Sequence, residues 1–213
     1  MIMRITVFGA AGGVGRRVVA EALSRGHEVT AVVRDPGRFA EPPGARIRTA
    51  DARNPEDVAR LAAGQDVVIT ATRPAPGSEH ELVTAVKALL AGLAGTGVRL
   101  LVVGGAATLT VPGTGGLTVV EEPGFPADWR DIALACADQL AACRAEASVD
   151  WAYLSPPALL EPGERTGAYR LGTDELLVDA QGESRISMED LAVALLDEAE
   201  RPRHHRTRFT VGY

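Results

Sequence analysis

A single lysine, Lys87, occurs in the 213 residues, so basic charge rests almost wholly on arginine. Four positions before it stands Val83. A tyrosine and lysine at helical spacing, the usual device for handing a proton to a carbonyl during its reduction, therefore cannot exist. Cysteine is equally sparse. Cys136 and Cys143 lie seven apart in a predicted helix, roughly 10 Å at about 1.5 Å per residue, too far for a mutual disulfide. Both read as buried thiols. The Cys and His spacings fit no zinc pattern, so no metal is expected. No apolar run approaches the twenty or so residues that a membrane helix needs. The formal net charge of -6 argues against nucleic acid or an anionic membrane as partner. Aromatic residues make up only 4%, so each of Phe125, Trp129 and Trp151 is worth weighing as a stacking surface.

What is present is a repeated strand–loop–helix rhythm. Apolar strands are expected at Arg4–Phe8, Glu28–Val33, Arg46–Thr49, Asp66–Ala71, Arg99–Val103, Asp150–Leu154 and Arg206–Val211. Helices are expected at Gly13–Ser24, from Pro55 through Leu61, at Ser78–Ala94, at Asp128–Ala147 and from Ser187 to near Arg201. Gly26 suits a helix C-terminus, Asn54 and Ser78 suit N-caps, and Ser187-Met188-Glu189-Asp190 has the capping-box pattern. The strands do not alternate strictly, as expected of parallel strands covered on both faces. Alternating strands and helices joined by right-handed crossovers imply an α/β, doubly wound parallel sheet. The whole chain, 1–213, reads as one domain with a small C-terminal elaboration on the substrate side. The Thr108–Trp129 stretch is a long connection of the kind that carries function or mobility. Met1–Phe8 enters the first strand without a signal-type apolar core, so a cytoplasmic protein is expected, as a monomer or homodimer.

The decisive segment is Gly9-Ala10-Ala11-Gly12-Gly13-Val14-Gly15. A strand feeds a glycine turn that opens a helix, so unpaired backbone N–H groups and the helix dipole converge on one spot suited to a pyrophosphate. Gly9 allows the tight turn, Gly12 lets backbone approach the phosphates, and Gly15 lets helix pack close on strand. After the second strand comes Arg34, where an NAD site usually has an acid; a guanidinium there suits a 2′-phosphate. Asp35 follows and could serve a 2′-hydroxyl instead. NADPH is therefore expected ahead of NADH. Ligands bind beyond the carboxyl ends of such strands. This adds Asp51 and Ala52 after strand three, with Asp51 either accepting from the adenine amino group or starting a helix. It also adds Ala71, Thr72 and Arg73 after strand four, Gly104 and Gly105 after strand five, and Ser155, Pro156 and Pro157 after strand six. The last three would flank the nicotinamide.

The G-x-x-G-x-x-G spacing of Gly9, Gly12 and Gly15 resembles that of extended and atypical short-chain dehydrogenases. Further matches are Val33-Arg34-Asp35-Pro36, Val102-Val103-Gly104-Gly105-Ala106, Ser155-Pro156-Pro157, Pro162–Gly167, Ile186–Ala192 and Arg208–Val211. Together these make the chain similar to the NAD(P)H-binding, NADH-flavin-reductase-like group of Rossmann proteins, which includes biliverdin reductase B-like and NmrA-like members. The resemblance implies NADPH-dependent hydride transfer to a flavin, FMN or FAD, or to another aromatic or conjugated small molecule. Such chemistry asks the protein only to orient two flat rings and exclude water. The biliverdin reductase B-like proteins line the substrate site with a serine after strand five and a histidine after the strand-six prolines. Here Thr108 is the nearest hydroxyl, the one catalytic candidate, and Ala158 replaces the histidine, which puts tetrapyrrole reduction in doubt. His80 reads as surface or interface, and His27, His204 and His205 as surface; Tyr153 reads as core or wall. A dinucleotide-binding redox sensor without turnover, and a tailoring reductase or isomerase of secondary metabolism, stay open as alternatives.

Overall fold

Six strands, β1 (Arg4–Phe8), β2 (Glu28–Val33), β3 (Ala45–Thr49), β4 (Val67–Thr70), β5 (Arg99–Val103) and β6 (Trp151–Ser155), follow the expected rhythm. The short strands β7 (Leu159–Glu161), β8 (Arg170–Gly172) and β9 (Arg185–Ser187) precede a final β10 (Thr207–Gly212). The helices are α1 (Gly13–Ser24), α2 (Pro55–Ala62), α3 (Glu81–Leu93), α4 (Arg130–Arg144) and α5 (Met188–Glu200). These assignments come from a computed structural model that describes residues 1–39 and 42–213.

The main sheet runs β3-β2-β1-β4-β5-β6-β10-β8, all parallel except β8, which lies antiparallel on β10. This is the doubly wound, Rossmann-type sheet. Strand order reverses between β1 and β4, and such a switch point opens a crevice beyond the strand ends. Side chains from β1, β2 and β10 pack with α1 and α5 on one face. On the other, β4, β5 and β6 pack with α2, α3 and α4. Double coverage explains the unbroken apolar runs: Val7, Val68, Leu100, Leu101 and Leu154 have no exposed surface. Each such side chain contributes about 1.5–3 kcal/mol on burial.

The helix signals hold in part. Asn54 accepts from the Glu56 amide at 2.9 Å with Pro55 at the first helical position, and Ser187 Oγ accepts from the Asp190 amide at 2.9 Å. Gly26 takes the left-handed conformation, φ 80°, that ends α1. Ser78 does not cap α3, which begins at Glu81 after a tight turn held by the Ser78 carbonyl. Asp190 does not complete a capping box, because its carboxylate accepts instead from Thr166 Oγ1 (2.5 Å), the Gly167 amide (2.8 Å) and Tyr213 (2.7 Å). These bonds outweigh burial and hold the Asp190 carboxyl below its ordinary range.

Much of the elaboration after β6 lies along α1 and α5. There Arg165 pairs with Glu21 (2.7 Å) and the Gly163 amide donates to Glu189 (2.8 Å). β7 and β9 form a separate parallel pair. The Thr108–Trp129 connection has its own small core of Leu109, Val119 and Leu176, with Phe125 packed against it. Two histidines depart from the surface expectation. His27 is buried, accepting from the Met3 amide through Nδ1 (3.2 Å) and facing Glu200 through Nε2 (2.9 Å). His204 stacks on Phe209 and meets Glu198 at 2.7 Å.

Candidate functional site

Everything in the glycine turn follows from close approach. Gly9 has φ 77°, and a side chain there would lie 2.6 Å from the Ala71 carbonyl oxygen. A Cβ on Gly15 would come within 2.1 Å of the Gly9 carbonyl oxygen, so α1 leaves the strand at a distance only glycine permits. The start of α1 is chemically bare. Gly12 at the cap position supplies no side-chain bond and the first turn holds no acid. By contrast, α2 and α5 each have a side-chain cap and two acids in the first turn. A helix start left without its own anion is the arrangement that accepts an external one. Arg16, which the sequence reading did not single out, folds over the turn to donate to the Ala11 (3.1 Å) and Gly12 (3.3 Å) carbonyls.

From this turn a cleft of about 250 Å³ runs along the ends of β1–β4. Gly9, Ala11, Gly12, Arg34, Asp51, Ala52, Ala71, Thr72 and Arg73 line it, joined by Asp35 and by Arg53 and Glu81, which the sequence reading missed. Asp35 accepts from the Gly37 amide at 3.0 Å. Arg53 holds Asp51 through Nε (3.0 Å to both carboxylate oxygens) and Nη2 (2.6 Å), and also donates to Glu81. The hydrogen-bonded Arg53 guanidinium, against a partial opposing effect of burial, holds the Asp51 carboxyl below its usual range. Arg34 Nη1 lies 3.7 Å from the other Glu81 oxygen and keeps 62% of its side-chain surface open. An alternating chain Arg34–Glu81–Arg53–Asp51 thus closes the end of the cleft beyond β2 and β3. Only the position of Arg53 two residues past Asp51, on the expected binding edge, could have flagged it in the sequence.

The remaining predicted residues do not line this cleft. Gly13, Val14 and Gly15 belong to the helix start just described. Gly104 and Gly105 are small for an internal reason: a Cβ on Gly104 would sit 1.9 Å from the Tyr153 ring, and one on Gly105 2.7 Å from Cys136. Ser155 has no exposed surface, and its hydroxyl has no hydrogen-bond partner. Pro156 and Pro157 are buried too, because β6 lies inside the sheet between β5 and β10. The expected nicotinamide flank is therefore closed at the side-chain level. Thr108 is drawn elsewhere, its hydroxyl accepting from the buried Arg208 at 2.7 Å, with Arg208 paired to Asp174. Tyr153 is buried, as a core or wall residue should be. Its hydroxyl accepts from the Gly105 amide (3.2 Å) and faces the Cys136 carbonyl (3.0 Å) and Gln139 (3.1 Å). Burial raises that phenol well above its ordinary value and pushes the Cys136 thiol up to about 11. None of these groups is set to give or take a proton at neutral pH.

Of the three aromatic candidates, Trp151 is 1% exposed in the core and Phe125 packs on its own loop. Trp129 alone stands open, 57% exposed, with the Arg73 guanidinium 5.9 Å from its ring centre. No group of three or more metal-ligating side chains occurs among the described residues, and none of their helices is long and apolar enough to cross a membrane.

Comparison with known proteins agrees with this geometry. A family model described as NAD(P)H-binding matches residues 9–202. A Burkholderia pseudomallei structure described as a "putative exported protein" is 41% identical over all of both chains, with a TM-score of 0.89. A Bacteroides thetaiotaomicron "putative epimerase" is 38% identical over 100% of this chain and 98% of its own, TM-score 0.90. A "putative NADH-flavin reductase" from Streptococcus pneumoniae TIGR4 is 32% identical over 99% of each chain, TM-score 0.89.

Proposed function

The chain belongs to the NAD(P)H-binding family, and on that premise we propose that it is an NADPH-dependent reductase passing hydride to a flavin or another planar conjugated small molecule. The observation that carries the reading is the uncapped glycine start of α1, opening into a cleft whose far end holds two arginines, Arg34 and Arg53. The diphosphate would lie on the bare amides of the turn. The 2′-phosphate would meet Arg34 and Arg53, with Asp35 and Glu81 as the opposing acids. Partly exposed charged pairs of this kind contribute about 0.2–1 kcal/mol each, and two guanidinium groups acting together on one phosphate give about a tenfold preference over NADH.

NADPH supplies a hydride and becomes NADP⁺; the acceptor takes that hydride and one proton. The proton comes from solvent in this reading, because Tyr153 and Cys143 are buried, the half-buried Cys136 thiol is pushed up by desolvation, and Thr108 is engaged by Arg208. Thr108 is not assigned a catalytic role. An acceptor that needs no protein acid, such as an isoalloxazine or a quinone, suits a site so equipped. The resemblance of the Streptococcus pneumoniae relative, itself described in terms of flavin reduction, supports the same class.

Calorimetry with NADPH and NADH, followed by stopped-flow oxidation of NADPH with FMN, riboflavin and quinones, tests both halves. NADPH should bind about tenfold more tightly, and at least one acceptor should accelerate its oxidation. Tight binding of NADP⁺ and NADPH with unequal affinity and no turnover on any acceptor would replace the enzyme with a redox sensor; the lack of a free proton donor at the strand ends among the described residues favours that second reading. We place the reaction in the cytoplasm, where NADPH is regenerated. Recovery of the native protein in a secreted fraction would move it, in line with the Burkholderia relative's description.

A further inference from the structure

Most large aromatic side chains of this chain are spent on packing: Phe8, Trp151, Tyr153 and Phe209 are each 1% exposed. Trp129 breaks that pattern. It ends a short 3-10 turn, Ala127–Trp129, immediately before α4, and more than half its surface meets solvent. Leaving an indole in water is unfavourable by the whole of its unburied apolar area, so an open indole beside a cleft invites a flat partner.

The position is set by α4. Cys136 lies seven residues, two helical turns, beyond Trp129 and so on the same side of the helix. Its Cβ and Sγ contact the place where a Gly105 side chain would be, at the end of β5. Trp129 therefore stands on the side of α4 that faces the end of β5, and its ring meets Arg73, which lines the cleft. The guanidinium of Arg73 stacks toward the indole and also lies close enough to Cys136 to oppose the effect of burial on that thiol. Three arginines meet the cleft, and Arg73 differs from the other two. Arg34 and Arg53 both face Glu81, whereas Arg73 makes no ion pair or side-chain hydrogen bond among the described residues. A charge without a counter-charge, resting on an open aromatic face, has the makings of a site for a planar anion.

We infer that Trp129 and Arg73 together form the docking platform for the hydride acceptor, a planar conjugated ring that carries a phosphate or carboxylate. The ring stacks on the indole and the anion meets the guanidinium. This deepens the reductase reading and rests on it for the word acceptor, though the binding can be measured without turnover.

FMN and riboflavin share one ring system and differ by one phosphate, so they separate the two halves of the platform. At saturating NADPH, Trp129→Ala should raise KM about tenfold for both flavins, and Arg73→Gln should raise it several-fold more for FMN than for riboflavin. With NADP⁺ bound, FMN should quench the accessible tryptophan fluorescence of the native protein. Trp129→Ala should abolish that quenching, leaving the emission of buried Trp151. Circular dichroism and the NADPH affinity of Trp129→Ala report whether the variant keeps its fold. A folded Trp129→Ala protein with unchanged flavin KM and unchanged quenching would overturn the platform while the reductase reading stood. Quenching at Trp129 with no flavin turnover would do the reverse, keeping the platform and removing the reaction.

Discussion

On the proposed reading, binding at the end of the cleft beyond β2 and β3 is governed by which charges Arg34 and Arg53 are free to meet. Glu81 accepts from Arg53 and faces Arg34 at 3.7 Å, so an arriving 2′-phosphate must share both arginines with a carboxylate already in place. Glu81→Gln keeps the shape and removes that competitor. These partly exposed pairs are screened, and their loss is worth well under 1 kcal/mol each. NADPH binding should tighten about two- to fivefold while NADH binding stays level. Calorimetry with both dinucleotides decides it, and an equal change for both would show that Glu81 does not act on the 2′-phosphate. Arg34 and Asp51 were legible because they follow strands on the binding edge. Arg53 and Glu81 were not, since one sits in a loop and the other opens a helix 28 residues further on, and only the fold brings them together.

Among elements, the start of α1 separates a glycine needed for space from one needed for conformation. At Gly15 the backbone is ordinary but a methyl group would collide with the Gly9 carbonyl. Gly15→Ala must push helix from strand, and overpacking of this sort costs about 1–3 kcal/mol. It should also abolish dinucleotide binding, since the amides move with the helix. Gly26 has φ 80° with nothing within 4 Å of a Cβ. Gly26→Ala should cost about 1 kcal/mol through backbone strain alone and leave binding intact. Urea unfolding and NADPH titration of the two variants measure the contrast, and equal binding by both would remove the close-packing role of Gly15. The boundaries that the sequence misplaced, Ser78 for α3 and Asp128 for α4, fail for a shared reason. In both places a short turn takes up residues expected in the helix, a tight turn from Ser78 to Glu81 and the 3-10 turn Ala127–Trp129.

Over the whole molecule, four carboxylates tie α5 and the segment after β6 to the rest. Glu21 is held low first by its hydrogen bond from Arg165. Asp190, Asp197 and Glu198 are each buried enough to be pushed up, yet their hydrogen bonds and arginine partners leave all three below ordinary values. A carboxyl whose folded pKa is depressed stabilises the fold above its unfolded value and loses that contribution as pH falls through the folded one. The urea midpoint should thus be flat for these groups from pH 7 down to about 5 and drop steeply below about pH 4. Hydrogen exchange in that acid range should show α5 and residues 162–170 opening before β1, β4 and β5. Simultaneous loss of protection everywhere would show that these ties do not hold a separable part of the structure.

What the sequence determined alone was whatever depends on near neighbours: the strand–helix rhythm, the caps at Asn54 and Ser187, and the glycine turn, whose amides converge because six of its seven residues are glycine or alanine, with nothing larger than a methyl group. Tertiary structure decided what depends on residues far apart. It gave Gly104 its smallness through Tyr153, closed Ser155 inside the sheet, drew Thr108 to Arg208 and left Trp129 in the open. Local geometry is written in backbone preferences over a few positions, whereas the accessibility of a side chain is a property of everything packed around it.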